Sequence, residues 1–263
     1  MSNEVTVVVT NWRRPKEVEQ ICRLYREGTV PVDLIVVDNS GQNRLSPAAK
    51  DMCDDVWSFG KNAGPSCRFA VSQFVDTEFV LFADDDMLPG KKCVEFYLKS
   101  ARSAGDTFFD MGFQGRVMAW EQALTATGLD MKPEYYKTNI HPHKYGFREV
   151  DFCVRNHFVV ARHLWAVHKL SLDIASYAKN VGHDQKFIRR MLWNDDILMG
   201  VSGPLIVGKN TILRKKCSVD HSCCHTELIS GRRNAVSNHP DHDLSRWELI
   251  RCCYELGWRG VHG

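Results

Sequence analysis

Three aspartates in a row, Asp84, Asp85 and Asp86, follow the apolar run Phe79-Val80-Leu81-Phe82-Ala83. Carboxylates this close repel one another unless cations or hydrogen-bond donors offset their charge. Mg²⁺ and Mn²⁺ do this well, because hard divalent ions take oxygen ligands and bridge one or two carboxylates to substrate phosphates. Asp84-x-Asp86 offers two such oxygens from one tight turn. An acidic turn capping a helix at Pro89 has the same composition, so the triplet by itself leaves both readings open.

Asn194-Asp195-Asp196 stands before the apolar stretch Ile197-Leu198-Met199. Asn194 or Asp195 suits the cap of a helix, which leaves Asp196 in its first turn. There it could take a proton from a reacting hydroxyl. Asp184, in Gly182-His183-Asp184-Gln185, is a rival for the same role. Cys217, His221, Cys223, Cys224 and His225 are zinc-compatible residue types without a finger spacing, and the expectation is buried thiols and polar histidines. Lys209, Arg214, Lys215, Lys216, Arg232 and Arg233 make the tail locally basic. Such a stretch can be a solvated face, a clamp on a leaving diphosphate, or a contact to nucleic acid.

The elements that must position these groups show in the hydrophobic pattern. Val5 to Thr10 is short, continuous and β-branched, the mark of a buried parallel strand. Pro15 can open the next helix, with Val18, Ile21, Cys22, Leu24 and Tyr25 as its apolar face. Val32 to Val37 predicts a second buried strand, closed by the turn cluster Asp38-Asn39-Ser40-Gly41. Val56 to Phe59 reads as a third strand, residues 65–74 as a helix and Phe79 to Phe82 as a fourth strand. This alternation predicts a right-handed parallel sheet with helices on both faces. Ligands of such sheets bind outside the carboxyl ends of the strands, where Thr10-Asn11, Asp38-Asn39 and the three aspartates fall. Farther on, the pattern predicts strand material at 106–119, a polar loop region at 120–148, a strand at 150–160, and helices at 161–170 and 244–256.

Val7-Val8-Val9-Thr10-Asn11-Trp12-Arg13-Arg14-Pro15, Val36-Val37-Asp38-Asn39-Ser40, Asn62-Ala63-Gly64 with Arg68, and Phe82-Ala83-Asp84-Asp85-Asp86 occur in that order. In order and spacing they resemble the nucleotide-sugar half of the GT-A glycosyltransferases, including family 2 and the exostosin-like family 64. The resemblance covers roughly the first 90 residues and the rest in patches. It implies an α/β, Rossmann-like fold, with a mostly parallel sheet flanked by helices and an irregular C-terminal region. Residues 1–105 would form the nucleotide-sugar half, and 106–263 the acceptor-binding and catalytic half, with 209–263 as its tail. Thr10, Asn11, Arg13, Asn39 and Asn62 would line the nucleotide-sugar pocket. Asp38 would bond a uracil-type base, and Arg68 would approach the diphosphate or its ribose. Asp84 and Asp85 would face the donor, with Asp86 and Asp84 on Mn²⁺ or Mg²⁺ and His221 or His225 completing the metal shell. Asp196, with Asp195 beside it, would be the catalytic base.

The implied reaction moves a hexose from a nucleotide-sugar, UDP-sugar above all, to a hydroxyl, and a carboxylate base implies inversion. The acceptor would be a glycan or a hydroxymethylated pyrimidine in DNA, the latter on a resemblance to small GT-A proteins of phages and base-J systems. A nucleotidyltransferase would carry a glycine-rich phosphate loop where this chain has Asn11-Trp12-Arg13-Arg14. A non-catalytic sugar-nucleotide-binding module would keep the first half and lose Asp195-Asp196.

Composition agrees with an enzyme of this size. The chain has 263 residues, 44% hydrophobic and 25% charged, enough for one large α/β domain. A net charge of +2 is too small to demand a polyelectrolyte partner. No apolar stretch resembles a signal peptide or approaches the roughly eighteen residues of a membrane span, so a soluble cytoplasmic chain is expected. The ten cysteines are mostly scattered singly through predicted elements, which predicts buried reduced thiols and no disulfide scaffold.

Overall fold

The computed structural model describes residues 3–42, 44–112, 115–116, 139–140, 147–153, 156–214, 225–228 and 241–259. They belong to two compact units, one within 1–106, 156–164 and 216–235, the other within 107–155, 165–215 and 236–263.

In the first unit, β1 (Val5–Asn11), β2 (Asp33–Asp38), β3 (Asp55–Ser58) and β4 (Phe79–Asp84) run parallel in the order β3-β2-β1-β4. Strands paired on both sides and covered on both faces need apolar side chains in succession, and β1, β2 and β4 are buried almost throughout. The register sets Asn11 level with Asp38 and Thr10 level with Asp84. The strand His157–Val160 lies on the far side of β4 and runs antiparallel to it.

Pro15 opens α1 (Pro15–Arg26), and Val18, Ile21, Cys22 and Tyr25 bury one face at helical spacing. Ser46 caps the short α2 (Pro47–Asp51) by accepting the Ala49 amide at 3.1 Å. Residues 65–74 form a 3₁₀ segment where the sequence predicts an α-helix. Its first turn closes with the tighter bond from Cys67 N–H to Gly64 C=O, 3.2 Å, after Gly64 has turned the chain at φ 86°. The short β5 (Met87–Pro89) comes just after the aspartates and pairs antiparallel with His225–Glu227. α3 (Cys93–Ala104) packs through Tyr97, whose ring stacks on Phe158 at 4.9 Å, and Phe158 stacks on Phe79 at 5.1 Å.

In the second unit, β9 (Asn210–Arg214) lies between β6 (Phe108–Gly112), to which it is parallel, and β7 (Phe147–Val150), to which it is antiparallel. β8 (Phe152–Cys153) belongs to a separate small ladder. The single strand expected at 150–160 is therefore broken into pieces. The helices are α4 (Trp165–Asn180), α5 (Gln185–Met191), α6 (Asp195–Ser202) and α7 (His242–Glu255). α4 starts later and runs farther than the expected 161–170, because Leu170, Ile174 and Ala178 carry its buried stripe through a polar stretch. Among the described residues, no helix is long and apolar enough to cross a membrane.

Candidate functional site

The carboxyl ends of β1, β2 and β4 carry a connected set of polar side chains. Asn11 is buried and bridges two strand ends: its amide donates to Asp38 Oδ1 at 2.9 Å, and its Oδ1 accepts the Arg14 amide at 3.1 Å. That second bond turns the chain sharply after β1. Arg13 sits inside the turn at φ 63°, the left-handed region that non-glycine residues seldom occupy. Its guanidinium lies over the Trp12 ring, 4.6 Å from the centroid.

Asp38 is buried, and its Oδ1 also accepts the Ser40 amide at 3.1 Å. Its Oδ2 is buried too and has no hydrogen-bond partner among the described residues. A buried acceptor without a donor costs free energy, so this oxygen has the capacity to accept one further N–H. Thr10 Oγ1 is likewise buried without a hydrogen-bond partner among the described residues. Asn39 and Asn62 are engaged in shaping a loop. Asn39 donates to Asn62 Oδ1 at 3.0 Å and to Gly64 C=O at 3.1 Å, and accepts the Ala63 amide at 2.8 Å. Asn62 Oδ1 accepts the Gly64 amide at 2.8 Å. The two asparagines thereby fix the entry to the segment that carries Arg68.

The three aspartates do not act together. Asp84 and Asp86 keep 33% and 23% of their side chains exposed, whereas Asp85 keeps 6%. The middle carboxylate turns inward, ion-pairs with Arg14, and accepts the Trp12 amide at 2.5 Å. Burial is the largest influence on Asp85 and outweighs the lowering pull of Arg14 and the Trp12 N–H. With Asp86 and Asp84 adding to the rise, its pKa is pushed up to about 7. The nearly buried Arg68 donates to Asp84 Oδ1 at 2.8 Å, and Arg14 reaches Asp86 Oδ2 at 3.4 Å. The turn is held by Asn156 Oδ1, which accepts the Asp84 amide at 3.1 Å, and by the Leu228 amide, which donates to Asp86 C=O at 2.8 Å.

Among the described residues, no group of three or more His, Cys, Asp or Glu side chains could enclose a metal ion. Two outward carboxylates with hard oxygens do fit a divalent ion that takes its remaining ligands from phosphate and water. His221 lies outside the described residues, as do Cys217, Cys223 and Cys224; the backbone of His225 is in the strand that pairs with β5. Arg14, Trp12 and Asn156 are given no role at this site by the sequence, although Trp12 and Arg14 stand within the matching stretch.

The second unit holds the other acidic motif. α6 begins at Asp195, with Asp196 in its first turn as expected from the pattern. Asn194 occupies the cap position, but its amide donates to Arg190 C=O, Met191 C=O and Ser245 Oγ instead of capping the helix. Asp195 Oδ1 accepts the Asp196 amide at 3.1 Å. Both Asp196 oxygens receive the Arg246 guanidinium, at 2.8 and 2.7 Å, in a bidentate pair that sequence reasoning missed. Asp184 Oδ1 accepts the Phe187 amide at 2.7 Å and so caps α5.

No protein-family model and no curated protein matches the chain. Solved structures do. The crystal structure of S. aureus TarS superposes with a TM-score of 0.50 at 12% identity, covering 88% of this chain and 37% of that one. The shared fold is a mixed α/β one, a mostly parallel sheet flanked by helices. TarS 1–349 (14% identity, TM-score 0.47) and TarS 1–349 in complex with UDP-GlcNAc (12%, 0.44) are also similar, over 82% and 84% of this chain and 60% of theirs. The chain thus spans little more than a third of the first TarS chain and three fifths of TarS 1–349. At these identities the fold is what is shared, and the residues at its strand ends must speak for chemistry.

Proposed function

We propose that this chain is a glycosyltransferase that takes a hexose from a UDP-sugar and passes it to a hydroxyl acceptor with the help of Mn²⁺ or Mg²⁺. The observation that carries the reading is Asp38 Oδ2, buried without a hydrogen-bond partner among the described residues and level with Asn11 at a strand end where such folds bind ligands. It suits the imide N–H of a uracil-type base. Asp84 and Asp86 would hold the divalent ion, which offsets charge on the departing diphosphate. Arg68 and Arg14 already reach these carboxylates and could turn to the phosphates. Asp196 would receive the acceptor's proton, and its two bonds to Arg246 mean that one oxygen must be released first.

That bidentate pair also favours a second reading, a module that binds the donor without transferring sugar. The acceptor, glycan or hydroxymethylated pyrimidine in DNA, is proposed from the resemblance and the basic tail. Calorimetric titration of UDP into wild type and Asp86→Ala, each with and without Mn²⁺, tests the donor site. Binding should require Mn²⁺ in the wild type and weaken in the variant. Equal affinity in all four conditions would remove the metal from the reading. UDP release from UDP-hexoses, with glycans and with hydroxymethylated DNA, separates enzyme from module and one acceptor from the other.

A further inference from the structure

Cys22 lies fully buried on α1, and Cys53 is half-buried just after α2. Their sulfurs are 3.9 Å apart although 31 residues separate them in the chain. Cys53 is held firmly at that distance. Its amide donates to Lys50 C=O at 3.1 Å, and the Asp54 amide after it donates to Leu34 C=O of β2 at 2.8 Å. Arg26, one turn beyond Cys22, donates to Met52 C=O at 2.7 Å and to Asp54 Oδ2 at 2.8 Å. Both residues flanking Cys53 are therefore fastened to the helix or strand beside it.

We propose that Cys22 and Cys53 form an oxidisable dithiol, a modification site whose co-reactant is a low-molecular-weight disulfide such as oxidised glutathione. A disulfide needs the sulfurs at about 2.05 Å, so rotation of the two side chains must close a gap of roughly 2 Å between groups already in contact. The two thiols differ in the way this chemistry requires. The Cys53 S–H reaches Ala49 C=O at 3.0 Å. The hydrogen bond between the two sulfurs holds the Cys53 thiol below its ordinary range, and Arg26 adds to that lowering against burial and Asp54. The same hydrogen bond, then burial, pushes Cys22 far up. Cys53 is also the more accessible of the pair, and the thiolate is the attacking species.

Cys53 loses its proton to solvent, and its sulfur attacks one sulfur of the small disulfide. That bond breaks, one small thiolate leaves, and Cys53 carries a mixed disulfide. Capping Cys53 removes the hydrogen bond and the neighbouring charge that held the proton on Cys22. Cys22 then gives up its proton and attacks the Cys53 sulfur, and the second small thiolate leaves. Two protein thiols become one disulfide, and one small disulfide becomes two thiols.

The test uses the full chain, reduced, desalted and incubated with oxidised glutathione, then read by intact mass and non-reducing peptide mapping. The expected product has lost two hydrogens, carries no glutathione, and joins the peptides of Cys22 and Cys53. Cys22→Ala should instead accumulate a glutathione adduct on Cys53, and Cys53→Ser should show neither product at these positions. A stable adduct on Cys53 of the wild type overturns the proposal. So does a Cys53 that stays reduced, or that pairs with another cysteine. The wild-type map decides even if a variant folds poorly.

Discussion

Asp38 and Asp85 are both buried aspartates, yet their surroundings give them opposite work. Asp38 keeps one oxygen for its own turn and Asn11, and one without a hydrogen-bond partner among the described residues, so Asp38→Asn should hold the fold through Oδ1 while replacing the second acceptor by a donor. UDP affinity should fall about 10-fold or more, the cost of a buried bond left unmade, and calorimetry reads it directly. Asp85 has both oxygens engaged and a pKa near 7 against an ordinary 3.8. The folded chain therefore holds this proton over a window in which the unfolded chain has lost it. Stability from this group is complete below 3.8 and is lost as pH rises through about 7. Thermal midpoints of metal-free protein should fall as pH rises from 3.8 to about 7, and Asp85→Asn should flatten that slope; parallel slopes would show the titration lies elsewhere. Asp196→Asn keeps the helix start but cannot take a proton, so single-turnover transfer should drop about 10² to 10⁴-fold with donor binding intact. Asp184→Asn should behave as a change of cap. A large defect there, with Asp196→Asn near wild type, would move the base to α5.

Among the elements, α6 carries the second acidic motif, and its far end is fixed by close packing. It runs into a π-helical turn, Gly203–Val207, and a Cβ added at Gly203 would lie 2.6 Å from both Lys209 C=O and Phe109 Cβ. The Lys209 amide also donates to Gly203 C=O at 3.2 Å, so the two backbones cannot easily part. Gly203→Ala should destabilise the protein by about 1–3 kcal/mol through overpacking, measured by urea unfolding. An unchanged midpoint would mean that β6 and the turn give way freely. At its N-terminus, α6 places two carboxylates in the first turn, where the helix dipole favours negative charge. The motif is thus structurally favourable even before any chemistry is asked of it. That is why spacing alone could not distinguish a cap from a base.

For the whole molecule, a net charge of +2 hides a basic tail, and the acceptor determines whether that tail matters. If modified DNA is the acceptor, duplex affinity should fall steeply with salt as phosphate counterions are exchanged. Replacing Arg232 and Arg233 with alanine should then flatten the slope of log affinity against log salt. Binding that ignores salt, or no binding at low salt, leaves glycans as the acceptor.

The alternating apolar runs by themselves determined the parallel core and the strand ends on which Thr10, Asn11, Asp38 and the aspartates stand, because strand burial is written in local residue types. They also placed Asp196 in the first turn of a helix. The antiparallel direction of the strand His157–Val160 and the 3₁₀ form of 65–74 were not legible, since both depend on neighbours. Tertiary structure alone decided which aspartate turns inward, since Asp85 follows Arg14 from 71 residues away. It alone brought Arg246 to Asp196 across 50 residues and Cys53 to Cys22 across 31. Spacing along a chain records what one helix turn or strand can reach. A carboxylate's partner, and therefore its charge and its freedom to react, is chosen by whatever the fold carries to its side.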